Sequence, residues 1–179
     1  MGADTVVFTD ASGTYTNDWF FSGTGGNDTF LIDGQSNGDY FDLSGMELAS
    51  PERLEFDDNG SNFDVTVELP ESELTLTGSE IDDQLMVIGV DQTGSTENII
   101  IDLATTTEVD LSGWVFTDWG GQGETVRIEG DSSNEKITGS VADDTIDGGA
   151  GNDTLDGVSG TDTVSYASAS AGVTVDLFI

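Results

Sequence analysis

The sequence predicts an all-β protein whose strands run parallel in a solenoid, and three observations lead there. No apolar pattern keeps the 3.6-residue period of a helix; short Val, Ile, Leu and Phe clusters alternate instead with Gly, Asp, Asn and Ser. Segments of the first half recur in the second at unequal offsets. Toward the C-terminus the chain settles into a strict nine-residue period.

Taken in order, the strand-like runs begin with Asp4–Phe8, Asp28–Ile32, Tyr40–Leu43, Phe63–Val67 and Glu73–Thr77. Gln84–Ile88, Asn98–Leu103, Val109–Leu111, Thr125–Ile128 and Lys136–Thr138 continue the series. Thr145–Asp147, Thr154–Asp156, Thr163–Ser165 and Val173–Leu177 complete it. Each is rich in β-branched or aromatic residues and bounded by turn formers. Many short strands suit a sandwich or a solenoid, and the internal repeats decide between them. Thr77–Leu85 matches Thr138–Ile146, Phe41–Met46 resembles Val109–Trp114, and Arg53-Leu-Glu55 resembles Arg127-Ile-Glu129. The offsets are 61, 68 and 74. Coils of one template with rim loops of different length give such drift, whereas a sandwich has no reason to show it. The expectation is one continuous right-handed parallel β-roll or β-helix of about eight coils. Residues 1–129 would form irregular wider coils, 130–165 tight repeats and 166–179 the final strands.

Composition narrows the function. The 179 residues carry 36 Asp and Glu against 3 Lys and Arg, a net charge of −33. A polyanion repels nucleic acid and anionic membrane, which makes both poor partners; no nucleic acid is expected. The absence of Cys and His removes thiol and imidazole catalysis, zinc-type sites and any disulfide framework. No stretch of 18 apolar residues exists to span a membrane, and no basic-then-apolar N-terminal signal is visible. High charge favours disorder, but 35% apolar residues in regularly spaced clusters and only 2 Pro argue for a folded chain. Asp outnumbers Glu by 24 to 12 and stands beside 24 Gly. Short carboxylates in Gly-rich turns suit local turn chemistry or a hard cation.

The clearest pattern lies between residues 130 and 165. Gly139-Ser-Val-Ala-Asp-Asp144-Thr-Ile-Asp147, Gly148-Gly-Ala-Gly-Asn-Asp153-Thr-Leu-Asp156 and Gly157-Val-Ser-Gly-Thr-Asp162-Thr-Val-Ser165 are three consecutive nonapeptides. Each has Asp at the sixth position, Thr at the seventh and an aliphatic at the eighth. Gly130-Asp-Ser-Ser-Asn-Glu135-Lys-Ile-Thr138 precedes them in register with Glu in place of Asp. Gly23–Leu31 is a single well-formed copy and Gly78–Met86 a degraded one. These residues resemble the hemolysin-type calcium-binding repeats of the repeats-in-toxin (RTX) family, over about a fifth of the chain. The closing segment Ser165–Leu177 also looks like segments that follow such repeats.

The resemblance implies calcium, and elementary electrostatics agrees. If six residues turn and three make a strand, two nonapeptides complete a coil, and residues eighteen apart stack one strand spacing away, ~4.8 Å. Asp144 then stacks with Asp162, and Glu135 with Asp153. Carboxylates at that separation repel by ~1 kcal/mol in water and ~3–4 kcal/mol at an effective dielectric near 20. A divalent cation between them turns repulsion into attraction, and Gly lets carbonyl oxygens approach it. Six to eight oxygen ligands suit calcium better than magnesium, which demands stricter geometry. The ligand scheme that the resemblance implies takes two carbonyls and a carboxylate from each of two stacked turns. One site comprises Ser140, Ala142, Asp144, Gly157, Ser159 and Asp162. The opposite-edge site comprises Asp131, Ser133, Glu135, Gly148, Ala150 and Asp153. The first has Asp as both carboxylates but lacks the second and fourth Gly in Gly139-Ser-Val-Ala142; the second departs from the pattern at Glu135 and Ser133.

Two functional classes follow. The first is a non-catalytic calcium-binding module of a larger secreted or cell-surface bacterial protein. For it the resemblance implies export without a cleaved N-terminal signal and folding on calcium outside the cell. The second is a carbohydrate-binding or carbohydrate-active β-helix. Polyuronate chemistry needs cations that a −33 chain lacks, and no carboxylate pair stands out for glycan hydrolysis. Trp114, Phe116 and Trp119, with Trp19-Phe20-Phe21, form either a sugar platform or core packing, and packing is the commoner use. Arg53 and Arg127 are expected to neutralise nearby acids rather than to catalyse. The chain ends at Val173–Ile179 within an expected strand and without a polar cap. Continuation into a longer protein, or self-association through the solenoid ends, is therefore expected. Asp144→Asn with Asp162→Asn should raise the calcium needed for folding, and Asp10→Asn should not.

Overall fold

A computed structural model describes residues 5–9, 20–22, 29–43, 47–49, 53–57, 64–69, 85–90, 94–120 and 123–170. Among them are sixteen strands and no helix. The early strands are β1 (Thr5–Phe8), β2 (Phe20–Ser22), β3 (Thr29–Asp33), β4 (Asp39–Asp42), β5 (Glu47–Ala49), β6 (Arg53–Asp57), β7 (Val65–Leu69) and β8 (Met86–Ile88). The later ones are β9 (Glu97–Asp102), β10 (Glu108–Asp110), β11 (Val115–Thr117), β12 (Thr125–Glu129), β13 (Lys136–Thr138), β14 (Asp144–Asp147), β15 (Thr154–Asp156) and β16 (Thr163–Ser165).

Every pairing is parallel. One sheet runs β1-β3-β6-β8-β11, a second β16-β14-β12-β9-β7-β4 and a third β10-β13-β15, with β2 and β5 as a separate pair. Among the described strands, no two that follow one another in the numbering pair with each other or share a sheet. The pairing offset is wide and variable early in the chain and narrows only in the repeats. Thr5 pairs with Thr29 and Val65 with Glu97, whereas Val126 pairs with Asp144, Ile137 with Leu155 and Thr145 with Thr163. From β12 onward the spacing is the eighteen residues of two nonapeptides.

Alternation along the strands builds the core. In β3, Phe30 and Ile32 point inward, as do Leu54 and Phe56 in β6 and Val65, Val67 and Leu69 in β7. Ile99, Ile101, Val126, Ile128, Ile137 and Ile146 are fully buried and stack along the later strands. Each is worth about 1.5–3 kcal/mol of burial. The repeats supply one such aliphatic per nine residues, and the supply thins at the end: Leu155 is partly buried and Val164 is 39% exposed.

Four strands were not anticipated. β2 and β5 are short, and β6 and β11 interleave charged or aromatic residues with apolar ones. The runs expected at Glu73–Thr77 and Val173–Leu177, the copy at Gly23–Asp28, most of Gly78–Met86, Trp19 and Asp10 lie outside the described residues. Trp114 is buried, and Phe116 and Trp119 pack at 5.4 Å in a tilted pair, with Phe56 5.8 Å from Trp119. These aromatics serve the interior. Arg53 pairs with Glu55 at 3.1 Å and Arg127 with Glu129, so both guanidinium groups neutralise the acid two residues on.

Candidate metal centre

The four nonapeptides give strands β13 to β16, and the six residues before each strand form turns that alternate between two edges. A fixed device starts the turns. A side chain at the end of a strand, or just after it, accepts the N–H two residues on: Asp131 from Ser133 at 2.6 Å, Asp147 from Gly149 at 3.0 Å and Asp156 from Val158 at 3.0 Å. These Asx turns compete with further strand pairing and bend the backbone out of the sheet. The fifth turn residue ties turns eighteen residues apart. Asn152 N–H donates to Asn134 at 2.8 Å, and Thr161 N–H to Asp143 at 2.7 Å. Pattern reading left these fifth and ninth positions unassigned; their signal is a recurring polar residue where side-chain length, not charge, matters.

The sixth-position acids fold back beneath the first Gly of their own turn. A Cβ on Gly139 would lie 2.5 Å from Asp144 Oδ2, one on Gly148 2.7 Å from Asp153 Oδ2, and one on Gly130 3.0 Å from Glu135 Oε2. Gly157 would collide with Asp162 in the same way. Two of these carboxylates also reach the turn eighteen residues earlier. Asp162 Oδ1 accepts the Asp144 N–H at 3.1 Å, and Asp153 Oδ1 accepts the Glu135 N–H at 3.0 Å. Asp144 with Asp162 and Glu135 with Asp153 are thus brought together across single rungs.

Main-chain oxygens crowd the same cradles. Cβ atoms on Gly149, Gly151 and Gly160 would overlap the carbonyl oxygens of Asp131, Ser133 and Ala142 on the turns below. A Cβ on Gly130 would lie 2.7 Å from the Gly148 carbonyl oxygen, and one on Gly139 3.2 Å from that of Gly157. The Asp131 carbonyl also accepts the Ala150 N–H at 2.8 Å, which leaves its second lone pair. Ser159 lies exposed on its turn. Among the described residues, no three acidic side chains gather closely enough to hold an ion on their own. Any ion here therefore needs the carbonyl oxygens as well, an all-oxygen donor set that fits a hard cation.

The electrostatics are those of sites short of positive charge. Glu135 is 2% exposed, and neither of its oxygens accepts a hydrogen bond from a neutral donor. It faces other acids, so a hydrogen bond there requires a proton shared between carboxylates. Burial, then the charges of Asp153 and Asp131, push its pKa up to about 7. Burial raises Asp144 to about 6 against the lowering effect of hydrogen bonds from Ser140, with the Asp162 and Asp143 charges adding to the rise. Burial also raises Asp162. Asp131 is lowered, chiefly by the Ser133 N–H. For Asp147, burial opposes ionisation, but hydrogen bonds from Gly149, Ser168 and Ser165 outweigh it and lower the pKa. A cation between the rungs would keep the raised carboxyls ionised at neutral pH.

Two buried acids upstream escaped the pattern search. Glu97 and Glu124 are 1% and 2% exposed, and the Asn98–Thr125 pairing places Glu97, the first residue of β9, beside the residue that precedes β12. The weak signal is an acid one residue before a polar and two before an aliphatic residue, as at Asp144-Thr-Ile146.

Comparison with curated proteins and with solved structures returns no match to the chain. A family model does match one segment, residues 129–164, in four copies. Sequence period, stacked turns and oxygen-rich cradles coincide there, and residues 129–164 belong to the RTX calcium-binding nonapeptide repeats, whose ligand is the calcium ion.

Proposed function

We propose that the chain is a non-catalytic calcium-binding module of a larger secreted bacterial protein, whose last coils close when calcium reaches them outside the cell. In this reading the parallel sheets are faces of one continuous solenoid over residues 1–179, with 130–165 as its calcium-dependent end. It is right-handed, because parallel β-crossovers almost always are. One ion lies among Ser140, Ala142, Asp144, Gly157, Ser159 and Asp162. Another lies among Asp131, Ser133, Glu135, Gly148, Ala150 and Asp153.

The observation that carries this is Glu135, a buried carboxylate facing Asp153 on the next rung within a segment matched to calcium-binding repeats. An unpaired buried charge costs several kcal/mol unless a counter-charge joins it. The thin core supports the rest. One aliphatic per nonapeptide stabilises these coils less than the fuller strands before residue 129. RTX repeats occur in secreted bacterial proteins, which supports an extracellular setting where calcium is abundant. With affinities of ~10⁻⁴–10⁻³ M, as in extracellular modules, the ions would be absent in the cytoplasm and bound outside.

The test is thermal melting of the full chain in calcium and in chelator, with isothermal titration of calcium. The melting temperature should rise with calcium, and Asp144→Asn with Asp162→Asn should shift the required concentration upward. An unchanged melt, together with normal calcium uptake by the double variant, would refute the proposal.

A further inference from the structure

The two edges of the repeat segment share a backbone plan but differ at the second turn residue. Ser140 and Asp131 are equivalent positions nine residues apart, as are Asp144 and Glu135. Both second residues do the same local work. The Ala142 N–H donates to Ser140 Oγ at 3.1 Å, and the Ser133 N–H donates to Asp131 Oδ1 at 2.6 Å. Only Ser140 can then pass a hydrogen on. Its hydroxyl donates to Asp144 Oδ1 at 3.0 Å while its N–H donates to Asp144 Oδ2 at 2.7 Å. Both oxygens of that carboxylate are satisfied inside the protein, where Asp144 is 1% exposed. Asp131, as a carboxylate, has no hydrogen to give. Glu135 is buried to the same degree with neither oxygen bonded, and its neighbour adds negative charge instead of a donor.

We propose that this second turn residue sets how strongly each edge depends on an ion: Ser140 lets the Asp144 edge form without one, Asp131 makes the Glu135 edge require one, and calcium therefore fills the Glu135 edge first. The inference rests on the reading that ions sit between stacked turns, and it adds an order of filling that the two ligand sets alone do not contain. Ser140 acts as an internal stand-in for the cation. At that edge an arriving ion must displace or share a hydrogen bond already made; at the Glu135 edge it meets bare oxygens.

Calcium titration calorimetry and chelator-state melting on the full chain test this with four substitutions. Glu135→Gln should abolish a tighter binding step than the one Asp144→Asn abolishes. Asp131→Ser should raise the melting temperature in chelator and weaken the tight step about tenfold, the worth of one hydrogen bond to a charged group. Ser140→Ala should do the reverse at its own edge, lowering the chelator-state melting temperature and tightening the weaker step. Asp131→Ser is expected to fold more readily than the parent chain, so the test survives if Ser140→Ala does not fold. Steps of equal affinity, untouched by Asp131→Ser, would overturn the inference while leaving calcium binding intact. Failure of the parent chain to take up calcium would overturn both.

Discussion

Gly151→Ala isolates the close approach of the repeat turns. Gly151 stands above Ser133, and a methyl group there would overlap the Ser133 carbonyl oxygen and come within 2.8 Å of Asp153 Oδ1. The obstacle is backbone rather than the end of a flexible side chain, so the turns must separate by about 1.5 Å to restore ordinary contact. That separation breaks the Ala150 N–H to Asp131 carbonyl bond, now 2.8 Å, at about 0.5–1.5 kcal/mol. Overpacking adds about 1–3 kcal/mol, and the stiffer unfolded chain returns about 0.4–1 kcal/mol. The net expected loss is about 1–3 kcal/mol, with a higher calcium requirement because the Ser133 carbonyl is displaced. Gly113→Ala is the control, since nothing lies within 4 Å of a Cβ there and its backbone is not left-handed. It should be neutral or slightly stabilising. Equilibrium urea denaturation in saturating calcium gives both values. If the two variants differ by less than about 0.5 kcal/mol, within the error of such data, the stacked-turn packing is wrong.

Three further outcomes follow from the same geometry. Val158 holds φ of 69° at a turn position where Gly149 has 75°, and a β-branched side chain pays about 1–2 kcal/mol for it. Val158→Gly recovers that strain against about 0.5–1 kcal/mol of extra unfolded-state entropy and should raise Tm by about 1–4 °C; a lower Tm contradicts the assignment of strain. Ile146 and Val164 share one inward column, yet Ile146 is fully buried and Val164 is 39% exposed. Ile146→Ala should cost about 2–4 kcal/mol and Val164→Ala less than about 1 kcal/mol in denaturant titrations, and equal costs would refute the thinning of the core. In chelator, Glu135 and Asp144 have folded pKa values of about 7 and about 6, above the ~4 of free carboxyls. The folded state then binds more protons than the unfolded state between those limits. Calcium-free stability should fall as pH rises from about 4 to about 7, and calcium affinity should rise over the same window because ions and protons compete. Parallel pH trends with and without calcium would contradict this.

Much of the architecture was legible because one local rule repeats. The nine-residue period fixes an eighteen-residue stacking distance, so the Thr145–Thr163 and Ile137–Leu155 registers could be drawn before any coordinates. Upstream, Thr5 pairs with Thr29 and Arg53 with Met86, and loops of varying length carry no register information of their own. β6 was hidden for a related reason. Arg53 and Glu55 form a half-buried ion pair on alternate positions, and charges on the outer face mask the inward Leu54 and Phe56. At the candidate site, sequence identified the stacked acids but ranked the two edges by carboxylate type alone. The difference lies in whether Ser140 or Asp131 can donate to the acid, which depends on side-chain direction within the turn. Asp143 and Asn134 went unassigned because bonds between turns eighteen residues apart appear only once those turns are brought together.

Amide hydrogen exchange on the full chain, in calcium and in chelator, tests most directly whether calcium closes the repeat coils. With calcium, the amides of Ile137, Ile146 and Leu155 should be strongly protected; in chelator they should exchange far faster, while Ile99 and Ile101 in β9 stay protected in both. Equal protection of the β13–β16 amides in the two conditions would contradict the account.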